Sequence, residues 1–437
     1  MWGNWAGDQR CAPAAIERPA STGEVRAAVE RAVAEGRRVR VAGAGHSFTA
    51  AVLTHGVLVS LERMRAVLDA DPSSGRVRVQ GGITLRELNA ELARRGLALE
   101  NLGDIDAQTI AGAIATATHG TGATLPNLSA QVQEVELVTA AGDVVTLDGS
   151  DPDGLLAARV AVGALGVVTA VTLRCREAYV LRGIDAPMPL DDVLAALDEH
   201  VDGHRHFELF VFPHSDVALT RTNDVVEGPP RPPSRARAWL DDVLLANHAF
   251  HALCLAGRAV PRAIPALNRV VTRAAGSRVR VDRSDRIFVS PRLVRFTEME
   301  YALPRAAAAP ALRAIREVID REGFAVNFPI ELRFVAGDDA LLSPAHGRDT
   351  AYLAVHAFRG MAWQAYFRAV EAIADSHGGR PHWGKRHFQT AATLAPRYPG
   401  WQRFRAVRRR LDPAGVFTNA YTDRVLGPAG EREAVGG

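Results

Sequence analysis

The stretch "VAGAGHSFT", Val41 to Thr49, decides the fold. The alternation of Arg and Val just before it predicts a strand. Gly43 and Gly45 predict a tight turn directly after that strand. Glycines placed there let backbone N–H groups approach an anion closely, a nest suited to phosphate. The dinucleotide fingerprint G-x-G-x-x-G is broken, because Phe48 stands where its third glycine belongs. No G-K-[ST] phosphate loop occurs either. Taken alone, this G-x-G reads as a plain tight turn, and a nicotinamide Rossmann unit loses its main support.

Two further runs of small residues share the same half of the chain. "NLGDIDAQTIAGAIATATHGTG", residues 101–122, is rich in Gly, Ala and Thr, and its last acid is Asp106. It has too little apolar bulk for a core of its own and suits a backbone laid against a large planar ligand, with Thr and main-chain groups as donors. "AVGALGVVTAV", residues 161–171, is the third run, with Gly163 and Gly166.

The local patterns around these runs predict an α+β domain over residues 8–180. "STGEVRAAVERAVAEG" opens with a capping box, Ser21 to Glu24, and stops at Gly36. Val25, Ala28, Val29, Ala32 and Val33 are expected on its buried face. A second capped helix runs from Thr84 and Glu87 to Gly96. "QVQEVELVTAAGDVVTL" predicts a hairpin turning at Gly142–Asp143. Residues 181–378 are expected to form a second α+β domain, with strands at "FELFVFPHSDVALTRT", "VRFTEMEYALP" and "FPIELRFVA" and amphipathic helices at 306–322 and 361–377. The Arg-rich stretch 235–275 is expected to be helical and to cover that domain's sheet rather than lie on a membrane, since Pro261 and Pro265 interrupt its polar face. Residues 379–437 form a C-terminal segment.

Composition sets the remaining bounds. The 437 residues carry a formal net charge of +3, with arginines scattered among acids, so nucleic acid is not an expected partner. Cys11, Cys175 and Cys254 are few and far apart, with no C-x-x-C. No secretory signal is read at "MWGNWAGDQR", and no apolar run approaches the ~20 residues that span a bilayer. A cytoplasmic protein without membrane association is expected. His356, His382 and His387 match no common zinc spacing, so no metal is expected. Of the 52 Lys plus Arg residues, 51 are Arg, and Lys385 in "RPHWGKRH" is the single lysine. Either codon bias spared it by chance, or a compact ammonium does there what a guanidinium fork does not.

"GAGHSF", "QTIAGAIATATHGTG", "GALGVVTAVTL", "IELRF" and "RPHWGKRH" together resemble, in order and separation, the aldonolactone oxidoreductases of the vanillyl-alcohol oxidase flavoprotein superfamily. That group includes L-gulono-1,4-lactone oxidases and dehydrogenases and D-arabinono-1,4-lactone oxidases. The resemblance runs from "NWAG" to "VFTNAYTDRVLG". It implies a bipartite PCMH-type FAD-binding domain plus an α+β substrate-binding cap, with the C-terminal segment returning to the flavin.

It also implies roles. His46 matches the histidine that such oxidases bond covalently to the flavin, and a neutral imidazole is a competent nucleophile. Ala42, Gly43, Ala44, Gly45 and Ser47 would surround the cofactor with it. So would Gly103, Asp104, Thr109, Gly112, Ala113, Thr116, His119, Gly120 and Gly122, with Gly166 and Val168 behind. His119 is expected to be structural or to face the ribityl chain. Glu331, Arg333 and Lys385 match the family's catalytic set, and the period of two puts Glu331 and Arg333 on one strand face. Asp104, His356 and His382 are expected at the substrate. Gly103 matches a position held to gate oxygen. Asp104 stands where alditol oxidases carry a substrate-contacting serine, a change that argues against the alternative reading, an alditol oxidase acting on a polyol such as xylitol. The expected partners are a small sugar lactone or polyol and O2 or another electron acceptor.

Overall fold

The computed structural model describes residues 1–429. Two sheets build the half that carries the glycine runs. Ala15–Glu17, Val57–Ser60 and Val39–Ala42 form a parallel three-stranded sheet, with Val57–Ser60 in the middle. The Val132–Val138 and Val144–Leu147 hairpin joins Val167–Arg174, Arg76–Gln80 and Val67–Asp71 in an antiparallel five-stranded sheet.

The helices start where their caps predict. Ser21 accepts from the Glu24 N–H and opens Thr22–Ala34. The Glu24 carboxylate reaches back one residue further than a capping box requires, to the Ala20 N–H. Thr84 and Glu87 cap Leu85–Arg94 reciprocally. One expectation fails: Val25, Ala28, Val29 and Ala32 are buried, but Val33 is 42% exposed. At 100° per residue it falls past the edge of a stripe already filled by Val29 and Ala32.

An eight-stranded antiparallel sheet organises the second half. Its order is Arg278–Arg283, Val180–Pro189, Val217–Val226, His206–Val211, Ile330–Val335, Thr350–Phe358, Phe296–Pro304 and Arg380–Pro381. Leu209, Leu332, Leu353, Met299 and Tyr301 point to one face and pack under the helices Ala308–Glu322 and Gln364–Ser376. Period-two alternation then turns the intervening charged residues to the other face. That face looks toward the glycine runs.

The segment 235–275 is helical, with a wide-turn stretch over Trp239–Ala249. Asn247, Cys254, Gly257, Asn268 and Thr272 face inward. Its cover is partial, because Trp239, Leu245, Val260 and Val270 remain exposed. Among the described residues no helix is long and apolar enough to cross a membrane. The three cysteines are unpaired.

Candidate active site

A cleft opens where the three glycine runs meet. Gly43 to Ser47, Thr109, Gly112, Thr116, Gly166 and Val168 line it, together with Ala42 and Ala44. Its walls are cut for a ligand approached by backbone. A Cβ on Gly43 would lie 2.5 Å from Thr109 Oγ1, and one on Gly166 would lie 2.6 Å from the Val138 carbonyl. Gly45 has φ +73°, and the Val162–Gly163 turn has φ +53° and +66°. Positive φ is costly for β-branched Val162. Arg40 holds that turn: fully buried, it donates to the carbonyls of Ala51, Val162, Gly163 and Phe417. It thereby ties the cleft to the C-terminal segment. Sequence reading missed Arg40, since an arginine in a strand looks like a solvent-facing one.

Six expected cofactor residues do not line this cleft: Gly103, Asp104 and His119 border a separate cavity, and three more sit elsewhere. Ala113 faces the hydrophobic core on the far side of its short helix. Gly120 packs against Asn101 and the Leu102 carbonyl, and Gly122 donates to the Phe334 carbonyl at 2.6 Å. The last two let the chain cross closely to the large sheet, which a helical or turn pattern does not reveal.

His46 borders the cleft and stacks on Trp5 with centroids 5.6 Å apart. Burial and the nearby Lys385 charge lower its pKa, so the ring is neutral at physiological pH.

A cavity of about 460 Å³ lies on the charged face of the large sheet. Gly103, Asp104, His119, Glu331, Arg333, His356, His382 and Lys385 all line it. Glu331 and Arg333 lie two apart on one strand and form an ion pair. Arg333 also bonds Glu208 at 2.7 Å and lies 3.6 Å from Asp104. Burial and the Glu208 and Asp104 charges push the Glu331 carboxyl well above its ordinary range, against the pull of Arg333. Asp104 goes the other way: Arg292 and Arg333 overcome its burial and hold it low.

Lys385 arrives from the sheet edge. The Arg380–Pro381 strand pairs with Phe296–Pro304, and the bonding continues beyond it, with His382 N–H donating to the Glu300 carbonyl at 3.0 Å and Arg386 N–H to the Glu298 carbonyl at 2.9 Å. The ammonium is thus placed over Glu298, 2.5 Å from Oε2. Burial pulls its pKa down, but Glu298 and Glu300 raise it above the ordinary lysine value. His356 stands across the ladder from Glu298, 3.6 Å from its carboxylate.

Glu298 and Glu300 are the main omission of sequence reading. Glu300 accepts from His119 Nε2 at 3.1 Å, while His119 Nδ1 donates to the Gly120 carbonyl at 2.8 Å. His119 therefore faces the 460 Å³ cavity and stacks on Tyr352. His119, Glu300 and His382 bring three metal-ligating atoms within 4.8 Å of one another. Both His119 nitrogens are hydrogen-bonded, and His382 Nδ1 accepts from the Gly384 N–H. His387 bonds Tyr421 and packs on Trp383, away from the cavity.

A family model described as an FAD binding domain matches residues 13–148. A solvent-stable cholesterol oxidase has the same fold at TM-score 0.83 and 19% identity, over 98% of this chain and 97% of its own. These define an FAD-binding protein of PCMH-type α+β architecture, with FAD as cofactor. The model described as D-arabinono-1,4-lactone oxidase matches residues 171–425. The L-gulono-1,4-lactone dehydrogenase of Mycobacterium tuberculosis is 49% identical over 98% of this chain and 99% of its own. The L-gulonolactone oxidase of Bos taurus is 33% identical over 97% of each chain. The chain belongs to the D-arabinono-1,4-lactone oxidase family of FAD-dependent aldonolactone oxidoreductases.

Proposed function

We propose that this protein oxidises a sugar-derived 1,4-lactone, of the L-gulono or D-arabinono type, at a ring-adjacent hydroxyl. The observation that carries this is the convergence of Lys385, Arg333 and Glu331 in one cavity beside the glycine-walled cleft. Bound FAD supplies the acceptor for the hydride, and O2 or another oxidant takes up the electrons.

The chain's own residues do the rest. Lys385 and Arg333 present fixed positive charge where the hydroxyl becomes an alkoxide, in a site largely closed to water. Glu331 orients the hydroxyl and takes its proton, a role its raised pKa suits. His356 and Asp104 bind the sugar's remaining hydroxyls from opposite walls, and His382 offers an Nε2–H donor because Nδ1 is taken. Gly43, Gly45, Thr109, Gly112 and Thr116 hold the cofactor's phosphates and ribityl chain. His46 carries it covalently: its neutral ring has the lone pair that bond requires.

We assign the cofactor to residues 8–180 and 379–437 and the substrate cap to 181–378. A cytoplasmic location suits three unpaired cysteines. Turnover on L-gulono-1,4-lactone against xylitol tests the reading; a preference for xylitol would replace it with a polyol oxidase.

A further inference from the structure

The charged face of the large sheet runs well past the residues assigned to the reaction. Arg333, Glu208, Arg221, Asp185 and Arg278 stand directly opposite one another on five adjacent strands, a row of alternating charge across the cavity floor. Its ion pairs run 2.7 Å from Arg333 to Glu208, 3.2 Å from Glu208 to Arg221 and 2.5 Å from Arg221 to Asp185. Strands lie about 4.8 Å apart, so four steps carry the row about 19 Å from the reactive end. A free aldonolactone is far shorter than that. The cavity therefore extends well beyond the proposed substrate.

At the far end Arg278 pairs with Asp242 at 2.8 Å and lies 3.5 Å from Asp241, and Arg292 pairs with Asp104. Arg280, two residues along from Arg278 on the same face, has no such partner. The nearest carboxylate is Asp185, 3.8 Å away and already bound by Arg221. Its cross-strand neighbour is Gly183, which offers no side chain. Only 12% of the Arg280 side chain is exposed, and its Nε is buried without an acceptor. Arg278 Nη2 is left in the same state. Burial and the Arg221 and Arg278 charges lower the Arg280 pKa, as expected of a guanidinium short of counter-charge.

Arg280 also occupies a junction. It borders the 460 Å³ cavity and a second cavity of about 770 Å³ that reaches His46. A buried guanidinium that shares its near carboxylate with a second arginine and leaves Nε without an acceptor is costly, and such groups cluster at ligand sites.

We propose that Arg280, flanked by Arg278, is an anion subsite that takes a carboxylate or phosphate group of a molecule bound where the two cavities meet. The inference rests on the reading of the Arg333 end as the reactive end. Two sources share this chemistry: an anionic electron acceptor, and a lactone extended by an acidic substituent.

Inorganic phosphate titrated into the FAD-loaded protein, at ionic strength held constant with chloride, tests the subsite without any turnover. Calorimetry is expected to show one saturable site, weakened about tenfold or more in Arg280→Gln and largely kept in Arg280→Lys, as for a charge-assisted contact. Absence of saturable binding, or equal binding by Arg280→Gln, overturns the proposal. In steady state with L-gulono-1,4-lactone, phosphate competing against 1,2-naphthoquinone-4-sulfonate identifies the acceptor as the source, and competition against the lactone identifies the substrate. Competition against neither overturns it. Failure of the lactone to reduce the flavin would instead strike the proposed function and leave the calorimetric result standing.

Discussion

Glu298 Oε2 lies 2.5 Å from Lys385 Nζ, and the other oxygen of the same carboxylate faces His356 Nε2 at 3.6 Å. One strand residue thus sets the position of two cavity groups. This explains how the chain's single lysine is held rigidly in a pocket where a bulkier guanidinium would displace either Glu298 or the substrate.

Lys385→Ala is expected to lower kcat by about 10²–10³-fold, the usual cost of removing one donor to a developing oxyanion. Lys385→Arg is expected to restore little, since the fork cannot occupy the same point. Steady-state turnover with L-gulono-1,4-lactone measures both. A loss below threefold for Lys385→Ala would remove it from the reaction.

Glu298→Gln tests positioning rather than contact with substrate. Glu298 and Glu300 raise the Lys385 pKa, so the ammonium persists to higher pH than a free lysine, and activity that needs it falls as pH rises through that value. Removing one of those charges lowers the pKa. The alkaline limb of the kcat profile should then move to lower pH, whereas a merely structural role for Glu298 would leave it in place.

Glu331 gives the opposite limb. Its carboxyl is pushed up by burial and by Glu208 and Asp104. The proton-accepting form therefore appears only as pH rises above the ordinary carboxylate range. The profile of kcat/KM is expected to climb through an acidic limb that is absent in Glu331→Gln.

Much of this site can be read in the chain, and the rest is hidden for definable reasons. Gly43, Gly45 and Gly166 announce the cleft because only glycine tolerates those approaches. Glu331 and Arg333 follow from the strand period. Glu298 and Glu300 obey the same rule in "TEMEY", where Met299 and Tyr301 take the core face. An acid at every second place of an otherwise buried strand was the available signal. The row from Arg333 to Arg278 had none, because it depends on the register of strands distant in sequence. Ala113 misled because its run of small residues does not reveal which side of a short helix faces the cleft.

His46→Ala is expected to leave the flavin bound but removable by acid. A denaturing gel under ultraviolet light should show a fluorescent band for the parent protein and none for the variant. A parent band without fluorescence would end the covalent assignment.

Gly43→Ala tests the cleft itself. Its Cβ would displace the Thr109 hydroxyl that accepts from the Gly112 N–H. Loss of that helix cap costs about 1 kcal/mol. Weaker FAD retention on gel filtration is the expected outcome, with far-ultraviolet dichroism unchanged.

The most direct measurement is anaerobic mixing of the yellow protein with L-gulono-1,4-lactone in a stopped-flow spectrometer. The account predicts full bleaching of the flavin band near 450 nm, slowed about 10²-fold or more in Lys385→Ala and Arg333→Ala. A flavin band that stays oxidised with both the gulono- and the arabinono-lactone would contradict it.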